Sequence, residues 1–195
     1  MKINLIVLGA GNSKRFNGNK LLTKIKDKPM YMHIVENILD LNLNKIIFVT
    51  QYEEIRKELE TYNIHVIMNE NSELGISHSI KLGIEADDTC EGYLFIVSDQ
   101  PFIKAETIQT LIDRFKKSDK GMACVEYNSK LKNPTIFSKK YKEELLQLKG
   151  DIGGKSVMKK HLDDLERVQI HNELELIDID TKEELENIIN LRLIN

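Results

Sequence analysis

The alternation of short apolar runs with segments of helical periodicity constrains the fold of this chain more than any other feature. Apolar runs bounded by turn residues cover residues 2–8, 45–50, 65–68 and 92–97. Between them, residues 30–41, 53–62 and 76–84 carry apolar side chains at helical spacing. Repeated strand-helix units of this kind predict a mostly parallel sheet flanked by helices, and therefore an α/β, Rossmann-like fold of three layers. Ligands of such sheets bind at the carboxyl ends of the strands.

The second half of the chain continues this pattern less regularly. We expect a helix over 104–116, strands over 122–127 and 135–137, a charged helix over 140–148 and a helical segment over 154–160. An apolar alternation follows at 174–178, and Thr181 with Glu184 forms a capping box that predicts the start of a last helix. No repeat, low-complexity tract or Pro/Gly/Ser linker interrupts the chain, so we expect a single domain over residues 1–195.

Charge and cysteine content exclude several classes of protein. The chain has 28 Lys and Arg against 31 Asp and Glu, a net charge of -3, whereas proteins that bind nucleic acid or anionic membranes normally carry a strongly basic face. Cys90 and Cys124 have no metal-binding spacing and suit a reducing compartment. The N-terminal apolar run has no cleavage site for a signal peptide, and no apolar segment approaches the ~20 residues of a membrane span. We expect a cytoplasmic protein without nucleic-acid or membrane partners.

The segment after the first apolar run has the composition of a phosphate-binding loop. Its first residues are Leu8, Gly9, Ala10 and Gly11. Small residues let backbone N–H groups approach an anion closely, and Arg15 and Lys20 can supply positive charge to phosphates. The dinucleotide-binding pattern GxGxxG is excluded because position 14 is Lys14, and a Walker A motif is absent here. A tight turn followed by solvated lysines explains the same residues without a ligand.

The most apolar run ends at Val97 and is followed by Ser98, Asp99, Gln100 and Pro101. A carboxylate at this place projects into the crevice at the strand ends, where Mg²⁺ bound to a nucleoside triphosphate needs an oxygen ligand. Pro101 ends the strand and restricts the turn. Taken alone, Asp99 also fits a turn or helix-capping residue.

Two further glycine-containing segments precede helices. Gly75 begins a turn that enters a helix carrying Ser77 and Ser79, whose hydroxyls could bind a base or a ribose, although Ser77 also fits a helix cap. Residues 150–156 contain Gly-Lys-Ser, but the first glycine of a P-loop is replaced by Lys149 and the preceding segment reads as helical. These residues, 150–156, therefore predict a flexible charged loop that could contact substrate.

Together the four segments resemble the MobA-like nucleotidyltransferases, and in particular their molybdenum cofactor cytidylyltransferase branch. The family signature L-x-x-G-x-S-x-R-x-G-x-x-K corresponds to residues 8–20, with one extra residue between Arg15 and Lys20 and with Gly9 in place of alanine. The motifs G-x-x-x-S, D-x-P, N-P, G-D-x-G and D-I-D-T correspond to residues 75–79, 99–101, 133–134, 150–153 and 178–181.

This resemblance implies the fold of the nucleotide-diphospho-sugar transferases and a reaction. The reaction is Mg²⁺-dependent transfer of CMP from CTP to the terminal phosphate of molybdopterin, with release of pyrophosphate. Arg15 and Lys20 would stabilise the charge on the phosphates, and Asp99 would hold Mg²⁺, with Asp178 or Asp180 as a second metal contact. The positions assigned to nucleotide binding are Leu8, Gly9, Ala10, Gly11, Gly75, Ser77, Ser79, Asp151 and Gly153.

The prediction of CTP as the nucleotide rests on Ala10. This position of the family signature tends to be alanine in cytidylyltransferases and glycine in guanylyltransferases. A side chain here narrows the base pocket and favours a pyrimidine. Two alternatives stay open. One is a nucleotidyltransferase that uses GTP or a sugar or alcohol phosphate acceptor. The other is a non-catalytic carrier that passes molybdenum cofactor to a molybdoenzyme.

Overall fold

The computed structural model describes residues 1–13, 15–16 and 18–190. Its strands, in chain order, are β1 (Ile3–Gly9), β2 (Lys24–Ile25), β3 (Lys28–Pro29), β4 (Lys45–Thr50), β5 (His65–Met68), β6 (Gly92–Val97), β7 (Met122–Tyr127), β8 (Lys130–Ser138) and β9 (Leu165–Gln169). Its α-helices are α1 (Met30–Ile38), α2 (Glu53–Leu59), α3 (Ile76–Glu85), α4 (Ala105–Lys117), α5 (Lys142–Leu146), α6 (Lys155–Lys160) and α7 (Lys182–Asn190).

Seven of these strands form one sheet in the order β5-β4-β1-β6-β8-β7-β9. The strands β5, β4, β1 and β6 are mutually parallel, and β7 and β9 are parallel to each other. Only β8 runs antiparallel to its neighbours in the described sheet. The short strands β2 and β3 form a separate hairpin. The sheet is therefore mostly parallel, as the alternating pattern predicts.

Two apolar clusters cover the two faces of the sheet, which explains why its central strands read as continuous apolar runs. On one face, Leu5 and Val7 of β1 pack with buried residues of α1, α2, α4 and α7. On the other, Ile6 packs with buried residues of α3, α5 and α6. Burial of each large apolar side chain contributes about 1.5–3 kcal/mol. The three-layer α/β fold predicted from the sequence is confirmed.

Several boundaries differ from the sequence-based expectation. The short strand expected at 135–137 is part of the longer β8, which pairs with both β6 and β7. The helix expected over 140–148 is a 3-10 turn at Lys139–Tyr141 followed by the five residues of α5. The apolar alternation at 174–178 overlaps a 3-10 turn, Glu173–Leu176. The edge strand β9 has the mostly polar sequence LERVQ and carries no strong apolar signal.

The capping box at the last helix is confirmed. The Thr181 hydroxyl accepts a hydrogen bond from the Glu184 backbone N–H at 3.1 Å, and Glu184 Oε2 accepts one from the Thr181 N–H at 2.9 Å. Within the described residues, no helix combines the length and the apolar character needed to cross a membrane.

Candidate active site

The strand order places a crevice between β1 and β6. After β1 the chain crosses to β4 and then β5 on one side of β1. After β6 it continues to β7 and β8, which lie on the opposite side of β6, so the connections leave β1 and β6 in opposite directions. Crevices at such switch points are the usual ligand sites of open α/β sheets. A cleft of about 380 Å³ opens here, between the segments that follow β1 and β6.

Most of the residues singled out in the sequence meet in this cleft. Those that line it are Leu8, Ala10, Gly11, Arg15, Lys20, Gly75, Ser79, Asp99, Asp151 and Asp180. Of the other described candidates, Gly9 and Ser77 do not line it, and Gly153 lines a neighbouring pocket. Gly75 rather than Ser77 is the N-cap of α3, so the expected Ser77 cap is wrong. Lys14 and Asn17 lie outside the described residues.

Lys20 is the centre of the charged cluster at the bottom of the cleft. Its Nζ donates to Asp99 Oδ2 at 2.8 Å, to the Ile179 carbonyl at 3.1 Å and to Asp180 Oδ1 at 3.1 Å. Its side chain is only 10% exposed. Burial lowers the pKa of Lys20, but the two carboxylates outweigh this and hold the pKa above its usual value. Lys20 is therefore a fixed cation whose three N–H groups all have partners.

Asp180 joins Lys20 to a second cation. Arg15 Nη2 lies 2.7 Å from Asp180 Oδ2, and the Arg15 side chain is 72% exposed. The segment that carries Asp180 is attached to the end of β6, because the Ile179 N–H donates to the Asp99 carbonyl at 2.9 Å. The capping residue Glu184 also accepts from the Asp180 N–H at 2.8 Å. Two cations and two carboxylates thus alternate across the cleft.

The two carboxylates have the chemistry of a partial site for a hard divalent cation. Lys20 engages Asp99 Oδ2, whereas Asp99 Oδ1 is buried and has no hydrogen-bond partner in the described part of the chain. A buried acceptor without a partner is costly, and a cation would supply one. Among the described residues no group of three or more His, Cys, Asp or Glu side chains forms a complete metal site. A Mg²⁺-like ion would complete its shell with phosphate oxygens and water, as such ions usually do.

The loop after β1 is attached to Gln51 and Ser72 by hydrogen bonds that the sequence analysis did not identify. Gln51 Nε2 donates to the Ala10 carbonyl and to Asn12 Oδ1, each at 2.9 Å. The Ser72 hydroxyl donates to Asn12 Oδ1 at 3.0 Å or to Gln51 Oε1 at 2.9 Å. Ser13, at a positive φ of 47°, lines the cleft with a buried hydroxyl that has no partner among the described residues. Ser13 was detectable as the serine of the family signature; Gln51 and Ser72 lie outside its motifs.

Two of the predicted segments are packed against each other at the cleft wall. The Ser77 N–H donates to the Gly150 carbonyl at 3.1 Å. A Cβ added to Gly75 would lie 2.4 Å from the Gly150 carbonyl carbon and oxygen and 2.7 Å from Asp151 Oδ1. Gly75 also has a φ of +83°, which side chains disfavour. This contact places Asp151 on the same cleft as Asp99 and Asp180.

A second pocket of about 330 Å³ adjoins the cleft. The two share Leu8, Ile76 and Val97 as a common wall. The rest of the second pocket is formed by Ile80 of α3, the end of β6 with Gln100, the first half of β8, the segment from Gly153 to Met158 and Asp178. The protein thus has a charged cleft and a neighbouring, more apolar pocket at one end of its sheet.

A family model described as the MobA-like NTP transferase domain matches residues 5–165. The chain belongs to this family. Among curated relatives, a probable molybdenum cofactor guanylyltransferase from Thermococcus sibiricus is 30% identical over 124 residues, which are 62% of this chain and 59% of that protein. The bifunctional protein GlmU of Staphylococcus haemolyticus is 28% identical over 123 residues, which are 60% of this chain and 27% of GlmU. The matched regions therefore span 27% and 59% of the lengths of GlmU and the Thermococcus relative, less than two thirds of each.

The fold is shared with solved structures as well. Rv0371C from Mycobacterium tuberculosis H37Rv, solved as a complex with manganese, superposes with a TM-score of 0.77 at 19% identity, covering 97% of this chain and 99% of that one. At this level of identity the similarity concerns the fold. The resemblance to the MobA-like family stated from the motifs is confirmed by the family model.

Proposed function

We propose that this chain is a Mg²⁺-dependent nucleotidyltransferase that transfers CMP from CTP to the terminal phosphate of molybdopterin, with residues 1–195 acting as one domain. The observation that carries the proposal is the alternating cluster of Arg15, Lys20, Asp99 and Asp180 at the β1/β6 switch point. Fixed charges of both signs beside a loop rich in backbone N–H groups suit a triphosphate with its metal ion.

The reaction is an in-line displacement at the α-phosphorus. An oxygen of the acceptor phosphate forms a new bond to the α-phosphorus, and the bond to the bridging oxygen of the β-phosphate breaks. Pyrophosphate leaves with that electron pair. The nucleophile is already ionised, so the protein has to position reactants and neutralise charge rather than remove a proton.

Each proposed residue has a role that its geometry allows. Ala10, Gly11 and Ser13 line the cleft, and the Ser13 hydroxyl has no partner among the described residues. The backbone N–H groups of Ala10 and Gly11 and this hydroxyl would bind phosphate oxygens. Arg15 is exposed at the cleft and can turn toward the α-phosphoryl group, while Lys20 is fixed deeper and would stabilise the charge on the leaving pyrophosphate.

Magnesium is the cofactor that we propose for Asp99 and Asp180. Asp99 Oδ1, which has no partner in the part of the chain that the structure describes, supports this assignment, as does the solved complex of Rv0371C with manganese. Asp99 and Asp180 would hold the divalent ion here, and the chemistry it would supply is neutralisation of phosphate charge. Asp178 lies in the second pocket and bonds to Gln100, so Asp180 is the better second ligand.

Ala10 and the similar proteins point to different nucleotide substrates. Ala10 is 5% exposed and lines the cleft. We propose that its methyl group would narrow the space beside a bound base and so favour cytosine. The Thermococcus relative is described as a guanylyltransferase, which makes GTP the second candidate. The second pocket is the proposed acceptor site, and a molybdoenzyme would receive the product. A cytoplasmic location belongs to the same proposal.

A four-nucleotide assay tests the proposed reaction. Purified protein is incubated with Mg²⁺, molybdopterin and one of CTP, GTP, ATP or UTP, and pyrophosphate release is measured with and without acceptor. We expect the fastest release with CTP. Equal release from all four nucleotides, or faster release with GTP, would contradict the choice of CTP. Release only with a sugar or alcohol phosphate would contradict the acceptor, and no release under any condition would favour the carrier alternative.

Substitution of Asp99 tests the catalytic cluster separately. Asp99→Asn keeps the side-chain shape but removes the charge, so Mg²⁺-dependent turnover should fall by roughly 10²–10³. Asp113→Asn is the matched control, because Asp113 is exposed on α4 and bonds to Gln109 on the same helix. Circular dichroism should show both variants folded. An active Asp99→Asn variant would show that Asp99 is only a turn residue.

A further inference from the structure

Three consecutive side chains at the end of β4 bind three consecutive backbone carbonyls at the end of β1. The donors and acceptors pair in sequence order: Thr50 Oγ1 with the Gly9 carbonyl at 3.2 Å, Gln51 Nε2 with the Ala10 carbonyl at 2.9 Å, and the Tyr52 hydroxyl with the Gly11 carbonyl at 2.7 Å. Gly9 and Thr50 are also the last paired residues of β1 and β4. These three bonds, which we call the side-chain ladder, therefore continue the strand pairing into the loop after β1.

Each bond of the side-chain ladder also fixes the direction of an N–H group. In a trans peptide the C=O of one residue and the N–H of the next residue lie in one plane and point in opposite directions. The bond from Gln51 to the Ala10 carbonyl therefore orients the Gly11 N–H. In the same way, the bond from Tyr52 to the Gly11 carbonyl orients the Asn12 N–H.

The two N–H groups oriented in this way are directed to the cleft. Gly11 and Asn12 line the cleft, whereas Gln51 and Tyr52 do not. Carbonyls that point to Gln51 and Tyr52 therefore point away from the cleft, and the N–H groups of the same peptides point toward it. Neither N–H donates to a backbone acceptor in the part of the chain that the structure describes. Successive N–H groups that face one side form a concavity that binds anions.

The donors of the side-chain ladder are themselves held in place. Thr50 is fully buried, and its Oγ1 accepts a hydrogen bond from the Tyr52 N–H at 3.2 Å. The Ser72 hydroxyl lies 2.9 Å from Gln51 Oε1 and can donate to it, which favours the amide orientation in which Nε2 faces the Ala10 carbonyl. Residues 50–52 lie outside all the family motifs found in the sequence. The ladder is therefore a feature that only the tertiary structure reveals.

We propose that Gln51 and Tyr52 are positioning residues for the binding of a polyphosphate. They hold two successive peptide planes so that the N–H groups of Gly11 and Asn12 donate to phosphate oxygens. Because the side-chain ladder orients these groups before the ligand arrives, binding does not have to order the loop. The inference rests on the proposed function for the identity of the ligand, a nucleoside triphosphate. It assigns the shape of the phosphate loop to side chains that do not touch that ligand.

Binding of inorganic tripolyphosphate tests this assignment without turnover. In calorimetric titrations with Mg²⁺ and without nucleotide, Tyr52→Phe and Gln51→Met should each weaken binding about three- to tenfold, as expected for the loss of one neutral hydrogen bond. Tyr127→Phe is the matched control, because the Tyr127 hydroxyl bonds to Glu173 at 3.3 Å and neither residue lines the cleft. Its affinity should equal that of the wild type. Unchanged binding in both ladder variants, an equal loss in the control, or no binding of tripolyphosphate at millimolar concentration would overturn the proposal.

Backbone amide NMR separates positioning from general support of the fold. In ¹⁵N-labelled protein, tripolyphosphate should shift the amide proton resonances of Gly11 and Asn12 downfield. Because each ladder bond fixes one peptide plane, Tyr52→Phe should mainly reduce the shift of Asn12, and Gln51→Met should mainly reduce that of Gly11. If both variants reduced the two shifts by the same fraction, or left them unchanged, the assigned roles would be refuted.

Steady-state kinetics with CTP provide a further readout. Tyr52→Phe should raise Km by about the factor lost in tripolyphosphate binding and leave kcat nearly unchanged, because the Tyr52 side chain does not line the cleft in which the reaction is proposed. A loss confined to kcat would contradict a positioning role. Tripolyphosphate binding with the expected NMR pattern but no nucleotidyl transfer would refute the proposed reaction alone. Nucleotidyl transfer with unchanged tripolyphosphate binding in both ladder variants would refute this inference alone.

Discussion

The contact between Gly75 and Gly150 gives a sharp prediction, because two physical terms can be separated by substitution. Gly75→Ala introduces strain at a φ of +83° and also places Cβ 2.4 Å from the Gly150 carbonyl group. Gly150→Ala introduces strain at a φ of +61°, but its Cβ meets no atom within 4 Å. The first variant therefore suffers strain and a backbone clash, and the second suffers strain alone.

The expected magnitudes follow from these two terms. Strain at Gly75 costs about 1–3 kcal/mol and forced overpacking about 1–3 kcal/mol more. Strain at Gly150 costs about 1–2 kcal/mol. Urea unfolding should thus show a larger loss of unfolding free energy for Gly75→Ala. The Km for nucleotide should also rise in this variant, because the clash displaces the loop that brings Asp151 to the cleft.

An equal loss of stability in the two variants would refute this reasoning. It would mean that the Gly75 turn and the Gly150 loop do not touch in solution, and that Asp151 is not held at the cleft by this contact. A change in the denaturant slope in one variant would show instead that the substitution alters the denatured ensemble.

Three further predictions concern the loop and the pH dependence of folding. Gly11→Ala adds a methyl group that meets nothing within 4 Å, so the melting temperature should stay unchanged while the Km for nucleotide rises because the methyl enters the phosphate loop; a normal Km would contradict that loop's role. Gln51→Ala removes the bonds to the loop carbonyl and amide, so Km should rise with little change in kcat, and an effect on kcat alone would argue against positioning. Burial opposes the shift, but bonds from Lys140, Tyr141 and the Gly121 N–H lower the pKa of Asp164 to about 2. The Asp164 carboxylate stabilises the fold fully above its unfolded pKa of about 4, and this stabilisation is lost as the pH falls toward the folded pKa of about 2. The unfolding free energies of wild type and Asp164→Asn in urea should therefore differ at neutral pH, and the difference should shrink between these two pH values. A difference that persists at pH ~2 would contradict it.

Strand prediction succeeded where a strand carries a continuous apolar run, which reflects burial on both faces in β4, β6 and β7. The bounds of β4, β5, β6 and β7 agree with the sequence-based expectation. The prediction missed β9 because this edge strand has the mostly polar sequence LERVQ, whereas the opposite edge strand, β5, has the more apolar sequence HVIM. The helix predicted over 140–148 also has the wrong bounds. In the structure α5 ends at Leu146, and Leu145 is the one buried residue of that helix.

The sequence by itself determined the alternating α/β fold, the family and the chemical nature of the cleft, because burial patterns and motif spacing are local properties of the chain. Only the tertiary structure decided which groups meet. The bonds of Lys20 to Asp180 and of Gln100 to Asp178 join residues 160 and 78 positions apart. Such pairs depend on strand order and on the path of the last segment across the end of the sheet. Likewise, only the tertiary structure shows that one side-chain oxygen of Asp99 and one of Gln100 have no hydrogen-bond partner among residues 1–13, 15–16 and 18–190.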